Sequence, residues 1–166
     1  MDKEKPQFDI ASARKTLSEK QIKKLKLAAK MLKETAKFWD GDNSMLPHWA
    51  AGIITHGQPK GKYFEVGKTE AAENAQKQDI THDHLYRVTA TAKHILSLVK
   101  ARDNLTIEEI ENILLQRSLT MITTRSQNNS DLKKAIKSCS NKDDWKELYE
   151  KARIKYKLFD PTDATS

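Results

Sequence analysis

Two capping boxes commit this chain to packed amphipathic helices. Ser18 is followed three residues later by Gln21, and Thr106 by Glu109. In each, the hydroxyl can accept from a first-turn amide while the longer polar side chain returns to the cap residue's own N–H. Behind the first box, Ile22, Leu25, Ala29, Leu32 and Ala36 recur at three- and four-residue steps and draw one apolar stripe. Its opposite face carries Lys20, Lys23, Lys24, Lys30, Lys33 and Lys37. Behind the second, Ile107, Ile110, Ile113 and Leu114 line a similar face. Thr89–Val99 reads as a further helix through Ala92, Ile95, Leu96 and Val99, Asn129–Lys137 as a short one, and Lys142–Ala152 as the last, with Trp145, Leu148 and Tyr149 facing inward.

Strand signals are few. Ile80–Tyr86 and Leu119–Thr123 are short β-prone runs. All five glycines fall between positions 41 and 67, joined by Pro47 and Pro59, so the pattern loosens there. Ala50–Thr55 and Tyr63–Val66 read as strands separated by the turn residues of 57–61, and Thr69–Gln78 as a short polar helix. The expected fold is therefore α+β and mainly helical. A length of 166 residues fits one domain, expected over residues 18–158, with a flexible arm at 1–17 and a frayed tail at 159–166.

Composition narrows the partners. Thirty Lys and Arg against twenty-three Asp and Glu leave a charge of +7, which suits nucleic acid or an acidic membrane surface without requiring either. The single cysteine, Cys139, excludes an internal disulfide and any multi-cysteine zinc site. No stretch approaches the roughly 20 apolar residues that cross a bilayer, and the opening MDKEKPQFDI has no apolar run behind its charges. The expected compartment is the cytoplasm, with no membrane partner. No glycine loop of the GxxxxGK[ST] kind is present, so nucleotide triphosphate hydrolysis is not expected.

The densest chemistry is His82-Asp83-His84, inside ITHDHLYRV. On an extended strand His82 and His84 share one face and Asp83 points to the other, unless the strand ends and turns there. A carboxylate is a hard oxygen ligand for Mg²⁺ or Mn²⁺, and an imidazole can take a proton from water near neutral pH. Phosphodiester hydrolysis needs both an activated water and a positive centre. A zinc site would need more ligands, and the spacing of His48 and His56 to His82 matches no finger. The second cluster, ITTRSQNNSDL, offers amide oxygens at Asn128 and Asn129 where a helix begins; these residues are also ordinary helix caps.

The ordered pair, DH at 83–84 and then a strand, TR-x-x-N and a helix at 124–128, resembles the HNH nucleases with a ββα-metal core. The resemblance covers Ile80–Lys137 discontinuously, with about thirty-five residues and two helices in place of the usual short loop. It implies a metal-dependent endonuclease acting on DNA, with Mg²⁺ or Mn²⁺ as cofactor and a helical insertion in the ββα-like core. Asp83 would be the first metal ligand and His84 the general base. The last ligand would be Asn128 if the register follows Thr124, or Asn129 if it follows Leu132. Ser118 stands near the position where the family has an asparagine that fixes the loop bearing the base. Arg87 or Arg125 could contact the neighbouring phosphate, and Lys23, Lys30 and Lys37 could contact the nucleic-acid backbone. A compact restriction enzyme or a phage or mobile-element nuclease would suit a chain of this size, and cutting a palindrome would call for a homodimer. The competing expectation is a non-catalytic nucleic-acid-binding or regulatory protein that uses the lysine face. Of the other candidates, His48 reads as part of a turn, His94 as a helix-surface residue, and Phe38, Trp39 and Trp49 as core aromatics. Cys139 lacks a partner base.

Overall fold

The computed structural model describes residues 8–41, 45–141 and 143–160. Its architecture is α+β. In chain order the elements are α1 (Ile10–Lys15), α2 (Glu19–Ala36), α3 (Met45–Gly57), β1 (Glu65–Thr69), α4 (Glu70–Glu73), β2 (Ile80–His84), α5 (Val88–Ala101), α6 (Ile107–Gln116), β3 (Thr120–Thr124), α7 (Leu132–Ala135), α8 (Trp145–Lys151) and β4 (Tyr156–Leu158). Two compact units emerge: a helical one from residues 9–60 and 87–118, and a sheet-bearing one from Phe8, 61–86 and the chain from Leu119 onward.

In the helical unit both capping boxes form. Gln21 Oε1 accepts from Ser18 N at 2.9 Å, and Glu109 Oε2 from Thr106 N at 2.8 Å. Helix α2 buries Leu25, Ala28, Ala29, Leu32 and Ala36 against α3, α5 and α6. Ile22, expected in the same stripe, sits at its margin and is 43% exposed. The segment expected as an arm contains a helix. Asp9 accepts from the amides of Ala11 and Ser12, opening α1, and Arg14 donates to Glu111 at 2.9 Å and to Asn112 at 2.8 Å on α6. Residues 1–7 of that arm, and 161–166 of the expected tail, lie outside the described residues.

Ala50–Thr55, expected as a strand, is helical. Pro47, Ala50, Ile54 and Gly57 are the buried positions of α3, spaced three and four apart, and Pro47 lies in the first turn, where an amide proton has no helical partner to lose. The glycines misled the strand reading, because Gly57 serves packing: a Cβ there would stand 2.2 Å from Ala28 Cβ, so its absence lets α3 close onto α2.

The sheet order is β2-β3-β1-β4. Strand β2 runs antiparallel to β3, β3 parallel to β1, and β1 antiparallel to β4. The expected strand at 63–66 begins two residues later, after a 3₁₀ turn at Lys62–Phe64, and the polar helix expected over Thr69–Gln78 shrinks to α4, capped by the Thr69 hydroxyl. Beyond β3 the expected helix is a composite: a π-helical turn at Gln127–Asp131, then α7, then a 3₁₀ turn at Ile136–Ser138. One sheet face is covered by α7 and α8 through Leu85, Met121, Leu132, Leu148 and Tyr149. The expected start of the last helix at Lys142 lies outside the described residues, and α8 opens at Trp145 because the Asp144 carboxylate caps Lys146 N and Glu147 N.

Gly57→Ala is expected to cost about 1–3 kcal/mol, the range for overpacking a close contact, read as a lowered urea midpoint. An unchanged midpoint would show that α2 and α3 separate without strain.

Candidate functional site

Strand alternation decides where the His82-Asp83-His84 side chains go. Register places Asp83 opposite Met121, His82 opposite Ile122 and His84 opposite Thr120. Residues directly opposite share a face, so Asp83 joins Met121 on the face covered by α7 and α8. His82 and His84 occupy the other face. His84 is the last residue of β2, and the chain bends at Leu85–Tyr86 immediately after it.

Asp83 is 9% exposed, and its Oδ2 accepts from the Tyr149 hydroxyl at 2.9 Å. A carboxylate taken out of water needs such a donor. Tyr149 is itself held edge-on between Trp145 and Tyr156, with centroid distances of 6.0 and 5.5 Å. Burial raises the Tyr156 phenol above its usual pKa, and the carboxylates of Asp144 and Glu150 push it the same way. Glu147, on the same helix, is lowered to about 2, first by the side chain of Lys151 and then by hydrogen bonds from Ser140 and Asn141.

On the outer face, His82 Nε2 lies 2.8 Å from Glu65 Oε1. His84 is half-buried, two positions along the same strand. Asn128 and Asn129 lie in the π-helical turn, the first half-buried and the second exposed. Thr124 pairs with Ile80, so β3 delivers this turn to the Ile80 end of β2 rather than to the Asp83–His84 end. Arg125, exposed, donates from Nε to the Gln78 carbonyl at 2.9 Å.

The remaining expected residues, Cys139 excepted, belong to the helical unit. Arg87 occupies the N-cap of α5 without a capping bond from its side chain, and its buried Nε has no hydrogen-bond partner among the described residues. Ser118 is buried, and its hydroxyl donates to the Leu114 carbonyl at 2.6 Å, closing the C-terminal end of α6. Lys23 and Lys30 are exposed on α2, while Lys37, just past its end, pairs with Glu34 at 2.7 Å. Phe38 and Trp49 are 80% and 64% exposed, so neither completes a core, whereas Trp39 is buried at 8%. His48 and His94 are exposed and Cys139 is buried.

Gln127 was not singled out by sequence reasoning. Its Oε1 accepts from the hydroxyls of Thr69 at 2.8 Å and Thr123 at 2.9 Å, both fully buried, and so joins β1, β3 and the π-helical turn. The signal available was the ITTRSQ run itself, a pair of threonines followed by an amide at the spacing of one helical turn.

A hard divalent cation takes oxygen donors, often one or two carboxylates completed by water and substrate phosphate. Asp83 and an Asn128 or Asn129 amide are donors of that chemistry. Among the described residues no three His, Cys, Asp or Glu side chains converge as a metal-holding group, so a cation here would rely on an amide and on phosphate oxygens. No described helix is long and apolar enough to cross a membrane.

Tyr149→Phe is expected to lower stability by about 1–3 kcal/mol, since it leaves a buried carboxylate oxygen without this donor, measured by thermal unfolding. The Glu147 shift has its own sign. A depressed folded-state pKa contributes stability that is present above the unfolded value, near 4.5, and lost as pH falls toward about 2. The protection factors of the Ser140 and Asn141 amides, which donate to Glu147, should fall as pH drops across that window, and a flat profile would contradict the assignment. No protein-family profile, curated protein or solved structure matches this chain.

Proposed function

We propose that the chain is a metal-dependent endonuclease that hydrolyses DNA phosphodiester bonds, with a divergent ββα-metal core of the HNH kind. The supporting observation is the element order around the Asp83-His84 pair. An antiparallel β2–β3 pair is followed within three residues by a helical segment, and α7 in that segment packs on the Asp83 face. The π-helical turn at Gln127–Asp131 adds to this, because π-bulges recur at functional sites.

In this reading His84, at the end of β2, accepts a proton from the attacking water. Asp83 would hold Mg²⁺ or Mn²⁺, which when bound supplies positive charge against the phosphoryl and leaving oxygens, and the turn after β3 would have to move from the Ile80 end of β2 for Asn128 or Asn129 to join it. The Tyr149 hydroxyl orients the Asp83 carboxylate by donating to one of its oxygens. Water adds at phosphorus, its proton passes to His84, the bond to the departing 3′ oxygen breaks, and that oxygen takes a proton from solvent, leaving a 3′-hydroxyl and a 5′-phosphate. The Arg125 guanidinium, steadied on the Gln78 carbonyl, is available to the adjacent phosphate.

One observation favours a second reading, a non-catalytic nucleic-acid-binding protein: Asp83 is packed among core side chains with Tyr149, as a purely structural carboxylate would be. Cleavage separates the two. His84→Ala is expected to reduce Mg²⁺- or Mn²⁺-dependent cutting of duplex DNA by about 10²–10⁴-fold, the range for removing a general base, while DNA binding in chelator is retained. A wild-type protein that binds DNA but cuts neither duplex nor branched DNA with either metal would establish the binding reading instead.

A further inference from the structure

The sheet face opposite α7 and α8 carries a charge arrangement that the hydrolytic centre does not explain. Register aligns His82 with Ile122, Ile122 with Lys68, and Lys68 with Lys157, so these four side chains form one rung across all four strands. The next rung holds His84, Thr120 and Glu65. His82 and Lys157 are exposed and Lys68 is half-buried. Strands about 4.8 Å apart make the rung about 14 Å long, with its two lysines side by side at the β1–β4 end.

Lys68 and Lys157 stand directly opposite one another on β1 and β4. Like charges in that position destabilise a sheet. The carboxylate on this face, Glu65, is engaged by His82 at 2.8 Å, and among the described residues neither lysine has an ion-pair partner. An unrelieved pair of ammonium groups side by side is arranged for an anion that spans both.

We infer that the rung Lys157–Lys68–Ile122–His82 is a phosphate-backbone track for nucleic acid, leading across the sheet to the rung of His84. At a rise of about 3.4 Å per nucleotide along a strand, 14 Å matches roughly four steps. The track is assigned here to a polymer because the two lysines stand side by side on neighbouring strands instead of converging on one point. The direction of the track, toward His84, rests on the proposed hydrolytic function; backbone binding by the lysines does not. The alternative role for the pair is protection of the β4 edge, where lysines discourage strand addition.

The test is the salt dependence of binding to a short labelled duplex DNA in EDTA, where cutting cannot occur. For the wild type against Lys68→Gln/Lys157→Gln, the slope of log K against log salt is expected to fall by about one per lysine. Lys68→Arg/Lys157→Arg is expected to keep the wild-type slope, and circular dichroism on each variant shows whether it is folded. If the double glutamine variant is misfolded, the single variants, each expected to lose about one unit, carry the test. A slope unchanged in folded variants overturns the proposal, as does a wild type that does not bind DNA at low salt. An unchanged slope together with new self-association assigns the lysines to edge protection. Expected slope losses in a protein that never cuts DNA would remove the hydrolytic reading and leave the track standing. Cutting with an unchanged slope would do the reverse.

Discussion

The hydrogen bond from Tyr149 to Asp83 is the interaction on which the sheet unit turns. A carboxylate inside a cluster of Leu85, Met121, Leu132 and Leu148 would be costly to bury unaided. The phenol supplies a donor from α8, and Trp145 and Tyr156 hold the phenol in place. With Asp83 anchored inward, the pleat leaves His82 and His84 no choice but the opposite face. One buried contact thus sets the facing of three consecutive ionisable residues, and a slip of one residue in β2 would reverse all of them.

Local signals in the sequence were sufficient for the helices. Both capping boxes form where the hydroxyl and its partner three residues on predict them, and α5 and α6 follow their apolar spacing. Periodicity also located β2 and β3 to within a residue or two at most ends. It failed at α3, where glycines suggested turns although Gly57 is a packing residue. It failed again at β4 and α1, too short to show a period at all. Partition into two units was not legible, since it depends on which helices meet, and residues 85–119 read equally well as an insertion in a nuclease core.

The candidate site was legible as composition and only partly as geometry. His82-Asp83-His84 announced itself, and the alternation of a strand gave two outcomes for it; the structure takes the extended one. The tyrosine that Asp83 bonds is 66 positions away, a distance over which no local pattern carries information. Gln127 shows the same limit in a different form: its neighbours Asn128 and Asn129 drew attention as ligand types, while the amide that joins two strands looked ordinary. Likewise the Lys68–Lys157 pair exists only through the β1–β4 register.

The chain passes between the two units four times, near residues 8, 60, 86 and 118. Each unit is therefore assembled from separated stretches, and neither can be isolated by trimming the polypeptide from one end. During synthesis β2 emerges well before β3, its strand partner, and it must wait unpaired until α5 and α6 have been made. Closing that gap costs chain entropy before any pairing repays it.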